Sequence, residues 1–347
     1  MRGLVIKSTG SSYIVRMNDG SDVECHIKGN FRIRGIRTTN PVAVGDFVEV
    51  TLTAEGDQTA QVVKQQSGQT GAASPIGWIS EVVERRNYII RRSTNLSKES
   101  HILAANIDQV ALLVTINHPE TSTTFIDRFL ATCEAYRVPA ILIFNKVDLL
   151  NEEELARLNE LRTLYKSIGY ETLAISALGL TTVNGQNQST KDGLLRLLNG
   201  RVTLLSGNSG VGKSTLLNAI FGREVTRTGK ISDAHDKGMH TTTFSEMYEL
   251  VKSRKPKAES KGWLIDTPGI KGFGTIDFQR EEVSHFFREI FRVGADCRFG
   301  NCTHTNEPGC AVIQAVEQDR IAISRYQSYL SILGDCTENK YRCAGAH

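Results

Sequence analysis

Four short segments constrain this chain, and their order matters as much as their content. Gly207-Asn208-Ser209-Gly210-Val211-Gly212-Lys213-Ser214 fits the pattern G-x-x-x-x-G-K-S. It follows an apolar stretch, 202–205, and precedes a helix expected to begin near Ser214. That strand-before, helix-after context separates a phosphate-cradling loop from a chance glycine-rich turn. Asn145-Lys146-Val147-Asp148 closes an earlier apolar strand, Ser176-Ala177 closes another, and Asp266-Thr267-Pro268-Gly269 follows a later one. The segment ending at Asp148 precedes the glycine-rich loop by about sixty residues. In an ordinary P-loop protein of this type the glycine-rich loop comes first, so here the chain enters the same set of motifs in rotated order.

Each residue type suits its chemistry. The loop N–H groups can point at phosphate oxygens, Lys213 can supply a point charge to the β- and γ-phosphates, and the Ser214 hydroxyl can ligate Mg²⁺, with Thr215 beside it. Asp148 can accept from guanine N1–H and N2–H₂, a donor pair that adenine lacks. Lys146 can lie along the ring face, Asn145 can tie its loop to the glycine-rich loop, and the backbone at Ser176-Ala177 can reach guanine O6. Asp266 can hold Mg²⁺ through water, and the Gly269 N–H can sense the γ-phosphate. Ile270 stands where many GTPases place a glutamine that orients the attacking water, and it cannot hydrogen-bond that water. Between the loop helix and Asp266 lies Gly238-Met239-His240-Thr241-Thr242-Thr243. One of its threonines, with Thr242 taken here, is the expected switch ligand of Mg²⁺ and the γ-phosphate. His240 is either a residue that positions water or phosphate, or an ordinary exposed loop histidine.

A second chemistry is written near the C-terminus. Cys297-x4-Cys302-x-His304-x5-Cys310 gathers four soft ligands within fourteen residues. Three thiolates and an imidazole make a closed tetrahedral Zn²⁺ site, so one structural zinc is expected. Cys336 and Cys343 read as free thiols or a weak second site, and Cys25 and Cys133 as ordinary packed residues.

The segments around these motifs suggest the architecture. Residues 3–66 carry short strand-like runs at 14–17, 23–27, 30–36, 46–52 and 60–64, with a hairpin turn at Asn18-Asp19-Gly20. About five such runs suggest a small barrel, an OB-fold or an SH3-like alternative. Residues 65–75 are rich in Gln, Gly, Ser and Ala and read as a linker. From Val110 apolar strands (110–116, 140–144, 172–175, 202–205) alternate with helices (124–136, 152–168, 193–198), which implies a parallel sheet covered on both faces. Residues 181–192 read as a mobile polar insert, 252–261 as a charged tip between strands, and 277–291 and 308–333 as helices. The expected domains are 1–72, the small barrel, taken as an OB-fold and RNA-binding domain; 73–105, a linker; 106–275, an α/β nucleotide domain; and 276–347, a helical zinc-binding domain.

Lys+Arg at 41 against Asp+Glu at 38 leaves a net charge of only +3, which decides nothing about nucleic acid. Locally, Lys28, Arg32, Arg34 and Arg37 surround Phe31, and Arg85, Arg86, Arg91, Arg92 and Lys98 form another stretch without acid. Each is either an RNA-facing surface or a solvated barrel face. Residues 1–7 lack a signal peptide's apolar core, and no apolar run approaches the roughly 18 residues that span a membrane. A cytoplasmic chain that uses its clustered cysteines for metal is expected.

Together the motif order, His240-Thr241-Thr242-Thr243, the isoleucine after Asp266-Thr267-Pro268-Gly269, the N-terminal barrel, the Cys/His cluster and Ala104-Ala105-Asn106-Ile107-Asp108-Gln109 resemble the RsgA (YjeQ) family of circularly permuted GTPases. The likeness covers essentially the whole chain. It implies the motif order G4-G5-G1-G2-G3, an OB-fold and a zinc-containing helical domain. It also implies GTP hydrolysis to GDP stimulated by the 30S subunit, 16S rRNA contact and a role late in 30S maturation, by a monomer. Two other readings stay open: a nucleotide-dependent RNA-binding module with negligible turnover, and a P-loop kinase or ATPase, against which Asp148 argues.

Overall fold

The structure, a computed structural model, describes residues 1–9, 12–27, 41–52, 76–92, 100–181, 185–225, 245–250, 262–266 and 278–343. The chain forms two compact units. One comprises Met1–Asp108, Leu198–Leu205 and Ile231–Pro268; the other comprises Gln109–Leu197, Ser206–Lys230 and Gly269–His347.

The first unit opens with β1 (Arg2–Ser8), β2 (Tyr13–Met17), β3 (Asp22–Ile27), β4 (Phe47–Leu52) and β5 (Ile76–Val82). β1, β2 and β3 form an antiparallel meander, β3 pairs in parallel with β5, β5 pairs with β4, and β4 returns to β1. That closed order is the OB-fold arrangement and removes free edges from the sheet. Alternation does the sorting: Tyr13 and Val15, Val23 and Cys25, Val48 and Val50 point inward to one core with Val5 and Ile79. The expected hairpin turn at Asn18-Asp19-Gly20 is present, with Gly20 at φ +86°.

Two barrel strands were not foreseen. Arg2 and Lys7 disguise β1 as polar. β5 lies in the stretch expected to be linker, because the Gln/Gly/Ser-rich run ends at Pro75 and the apolar Ile76-Gly77-Trp78-Ile79 begins at once. The barrel thus extends to Val82, beyond the expected boundary at residue 72. The runs expected at 30–36 and 60–64 lie outside the described residues. The rest of the expected linker carries an antiparallel pair, β6 (Tyr88–Arg92) and β7 (Ser100–Ala105).

The second unit begins with β8 (Gln109–Val114), α1 (Thr123–Ala135), β9 (Ala140–Phe144), α2 (Glu152–Ile168), β10 (Glu171–Ala174) and α3 (Gly185–Leu198). β8, β9 and β10 are parallel in the order β10-β9-β8, and β8 and β9 are buried at every position. Ser122 caps α1, and Asn151 with Glu154 forms a capping box on α2, which Gly169 ends in the left-handed conformation. α3 starts at Gly185, so most of the polar insert is helix. Its first turns lack apolar spacing, and only Leu194 and Leu198 are buried hydrophobics of that helix.

The chain returns to the first unit as β11 (Val202–Ser206), re-enters the second as α4 (Lys213–Phe221), and contributes β12 (Glu246–Leu250) and β13 (Gly262–Asp266) to the first. β13 runs parallel to β11 and antiparallel to β12, and β12 meets β1 at Lys7↔Glu246, where Lys7 and Glu246 form an ion pair at 3.3 Å.

The C-terminal part holds a 3-10 segment, Arg280–Phe286, then α5 (Arg288–Gly294), α6 (Ala311–Glu317) and α7 (Ile323–Cys343). The helix expected over 277–291 is broken because Phe287 is extended and fully buried. The one expected over 308–333 is interrupted at Asp319, φ +55°, which turns the chain so that Ile321 enters the core. That core gathers Val283, Phe287, Ile290, Val312, Tyr329 and Leu333 against Ala131 of α1.

Candidate functional site

β11 delivers the glycine-rich loop, and α4 begins at Lys213, so the strand–loop–helix context is present. The loop's glycines are required by what stands beside them. A Cβ on Gly207 (φ +148°) would lie 2.4 Å from the Leu113 carbonyl oxygen, and one on Gly212 (φ +97°) would lie 2.4 Å from Asn145 Nδ2. The Lys213 ammonium donates to the carbonyls of Gly207 (2.6 Å) and Asn208 (2.9 Å), which folds it over its own loop. Ser209 and Gly210 at the tip are exposed, whereas Val211 is buried.

The Asn145 side chain joins three motifs. Its Nδ2 donates to the Val211 carbonyl at 2.8 Å, and its Oδ1 accepts from the Ala177 N–H at 2.9 Å. Asn145 is 2% exposed, so both bonds are made away from water. The Val147 N–H donates to the Ile175 carbonyl, which clips the two loops together again. Ser176 Oγ accepts from the Gly179 N–H at 3.1 Å and shapes the turn. With the anchor buried, Asp148 is exposed at the tip. Lys146, at φ +62°, donates its ammonium to the His118 carbonyl.

That carbonyl belongs to a loop that sequence reasoning missed. Asn117 donates to Glu154 Oε1 (2.7 Å), the same carboxylate that completes the α2 capping box, and Pro119 stands close to Gly210. The 117–119 loop therefore touches both the Asp148 loop and the glycine-rich loop. No motif marks it.

In the first unit Asp266 ends β13 in register with Leu205 of β11, two residues before Gly207. Gly269 and the segment with His240, Thr241, Thr242 and Thr243 lie outside the described residues. So do Phe31 with Lys28, Arg32, Arg34 and Arg37, and also Lys98.

The basic stretch at 85–98 needs correction. Arg85 is not a surface residue: its Nε and Nη2 grip Asp46 at 2.7 and 2.6 Å, and Nη2 also donates to the Pro41 carbonyl. Asp46 is fully buried and burial pushes its carboxyl up, while Arg85 pulls it back. Arg86 pairs with Asp108 at 2.9 Å. Sequence shows the arginines but not the carboxylates that reach them from far along the chain.

The Cys/His cluster is assembled. Cys297, Cys302, His304 and Cys310 bring their ligand atoms within 4.8 Å of one another. His304 Nδ1 lies 3.5 Å from the sulfurs of Cys297 and Cys310, which are 3.9 Å apart. Tetrahedral bonds of about 2.3 Å to sulfur and 2.05 Å to nitrogen place ligand atoms about 3.8 Å (S···S) and 3.6 Å (S···N) apart, so the residues fit zinc. Burial pushes the Cys302 thiol up to about 12; a bound dication reverses that logic and favours thiolates. Glu307 is the opposite case. Burial acts to raise it, but hydrogen bonds from the Thr303 hydroxyl and nearby backbone N–H groups outweigh burial and bring it down to about 2.

α1 meets the C-terminal helices through buried charge. Arg325, 1% exposed, donates from Nη1 to Asp127 (2.8 Å) and from Nε and Nη2 to Glu289 (2.6 and 3.0 Å), with its guanidinium 4.6 Å from the Phe287 ring centre. Asp127 also accepts from the Tyr165 hydroxyl at 2.8 Å. Arg288 adds a second joint, to Glu134 and the Gly169 carbonyl.

Comparison with known proteins bears on this geometry. The RsgA GTPase family model matches residues 82–276, and that of the RsgA N-terminal domain matches residues 2–59. The chain belongs to the RsgA GTPase family. It is a GTP-hydrolysing enzyme with circularly permuted motifs. The small ribosomal subunit biogenesis GTPase RsgA of Phocaeicola vulgatus is 55% identical over 344 residues, covering 99% of this chain and 100% of that one. The protein of the same name from Porphyromonas gingivalis (strain ATCC 33277) is 51% identical, with 99% of each chain covered. The crystal structure of YjeQ from Thermotoga maritima superposes with a TM-score of 0.66 at 30% identity, over 97% of this chain and 98% of that one. YloQ, described as a circularly permuted GTPase, gives 0.64 at 26%, over 97% and 95%. Among the described residues no helix is long and apolar enough to cross a membrane.

Proposed function

We propose that this RsgA-family chain hydrolyses GTP to GDP and phosphate as a timer in late maturation of the small ribosomal subunit. The observation that carries the nucleotide half is the Asn145 side chain, bonded at once to the glycine-rich loop and to Ala177. In this reading Asp148 accepts from guanine, Lys146 covers the ring, and the Ala177 side of the clip receives O6. The loop N–H groups from Gly207 to Ser214, with Thr215, enclose the phosphates. Ser214, Thr242 and Asp266 would hold Mg²⁺, which supplies charge stabilisation at the phosphoryl oxygens. Lys213 leaves its two loop carbonyls for the β- and γ-phosphates, His240 orients the attacking water, and the Gly269 N–H senses the γ-phosphate. Catalysis is then positional and electrostatic.

The names of relatives with half or more of their residues identical support the subunit assignment. Stimulation of hydrolysis by the 30S particle, 16S rRNA contact through the barrel, a monomeric state, a cytoplasmic location and one structural zinc at Cys297, Cys302, His304 and Cys310 complete the proposal. The test is a GTPase assay with purified small and large subunits side by side. Small subunits should raise turnover and large ones should not; equal rates with and without small subunits favour a nucleotide-dependent RNA binder instead. In the same assay His240→Ala should keep GTP binding and lose stimulation, and unchanged stimulated turnover removes His240 from the mechanism.

A further inference from the structure

Building on the zinc reading above, we propose that Glu307, Tyr326 and Tyr329 are positioning residues that hold the His304 segment in its ligating shape and set how fast the metal leaves. His304 sits at φ +55°, a left-handed conformation that costs a non-glycine residue about 1–3 kcal/mol. Something must hold it there, and three side chains do. Glu307 Oε1 accepts from the Thr303 N–H (2.6 Å) and hydroxyl (2.7 Å). Its Oε2 accepts from the N–H groups of Thr305 (2.9 Å) and Asn306 (3.1 Å). One carboxylate thus gathers the backbone donors on both sides of His304.

The carbonyls are taken from the other direction. The Tyr329 hydroxyl donates to the Thr303 carbonyl at 2.6 Å, and the Tyr326 hydroxyl donates to the His304 carbonyl at 2.7 Å. Both tyrosines project from α7, with their rings stacked at 6.2 Å. The imidazole is bounded as well: a Cβ added to Gly294 would lie 3.2 Å from its Cε1 and 3.3 Å from its Nε2, while Nδ1 faces the sulfurs. Groups just outside a metal's ligands commonly orient a histidine through its second ring nitrogen. Here the orienting bonds act on the main chain.

Charge, not size, is what Glu307 contributes. In Glu307→Gln the side-chain amide must turn an NH₂ toward N–H donors on one side or the other, so the clamp opens although the volume is unchanged. The test uses the full chain loaded with zinc and follows release to a chromogenic chelator. Glu307→Gln should bind one zinc per chain and release it about tenfold faster or more, in line with the 10–100-fold effects of such second-layer residues. Glu307→Asp should fall between it and the parent, and Tyr326→Phe, which removes a single oxygen, should accelerate release in the same direction. The Co²⁺-loaded variants should keep the parent's ligand-field bands, because no ligand has changed. Parental release rates in both Glu307→Gln and Tyr326→Phe overturn the proposal. Co²⁺ bands altered in Glu307→Gln but parental in Tyr326→Phe overturn it too, by making Glu307 a ligand. A parent chain that carries no zinc takes down the zinc reading itself. Should Glu307→Gln fail to fold, Tyr326→Phe decides alone.

Discussion

Arg325→Ala should loosen the second unit more than any surface change, and the structure says by how much. Arg325 and Asp127 are both essentially unexposed, and the Glu289 side chain is 12% exposed. Burial pushes the Asp127 carboxyl up, and Arg325 is the cation that offsets it. Truncation leaves two carboxylates without their cation in a packed interior, which costs about 3–5 kcal/mol. An exposed pair on the same unit, Arg157–Glu160 with side-chain exposures of 52% and 66%, contributes about 0–1 kcal/mol and serves as the control. Both tryptophans, Trp78 and Trp263, lie in the first unit, so their fluorescence is blind to this joint. Hydrogen exchange at the amides of α1 and α7 reads it directly. A loss of 3 kcal/mol in opening free energy speeds exchange by about two orders of magnitude, at 1.4 kcal/mol per tenfold. Replacing the whole set, with Arg325→Met, Asp127→Asn and Glu289→Gln together, should recover most of the loss, because no uncompensated charge stays buried. If Arg325→Ala changes exchange in α1 by less than about fivefold, near 1 kcal/mol, the buried network is not what joins these helices.

Asn145→Ala removes two buried hydrogen bonds worth about 1 kcal/mol each, so GDP and GTP should both bind about 10–30-fold more weakly in a fluorescent-nucleotide titration. An unchanged dissociation constant would mean that the clip is ornamental. Arg85→Ala strands the buried Asp46 carboxylate and should destabilise the barrel by about 3–5 kcal/mol, followed in urea by Trp78 fluorescence in a Trp263→Phe background. If instead it merely weakens RNA binding at full stability, the ion-pair reading of Arg85 fails.

What could be read from sequence was what is local. The strand–loop–helix at Ser214 and the Cys297 to Cys310 spacing are both short stretches whose residue types carry their geometry. The fifth barrel strand escaped because its evidence is pairing: β5 is bonded to β3 and β4, which precede it by more than twenty residues. Arg85 misled for the same reason, since Asp46 is 39 residues away. Asn145 was legible because its neighbours, Val211 and Ala177, belong to motifs that announce themselves. Glu307 was invisible although it lies between His304 and Cys310, because an acidic residue in a polar loop ordinarily faces water, and only the fold shows it turned back on the N–H groups of Thr303, Thr305 and Asn306.

Rotation of the motif order gives the joint at Arg325 its meaning. Starting the second unit at β8 makes α1 its first helix, and the chain's last helix closes on it. Asp127 and Arg325 are 198 residues apart, among the longest side-chain contacts described. Such closure costs loop entropy before any contact rewards it, so it is expected to form after the short-range pieces. The Asn145 clip spans 66 residues and the Cys/His set only fourteen, so the loops joined by Asn145 and the Cys/His cluster are each expected to take shape before the joint between them. Until α7 docks, Asp127 lacks its cation and the Thr303 and His304 carbonyls lack their phenols. One helix therefore completes both the buried joint with α1 and the frame of the His304 segment, through Arg325 on one side and Tyr326 and Tyr329 on the other. Arg325 and Tyr326, adjacent in sequence, thereby tie α1 and the Cys/His loop to the same helix.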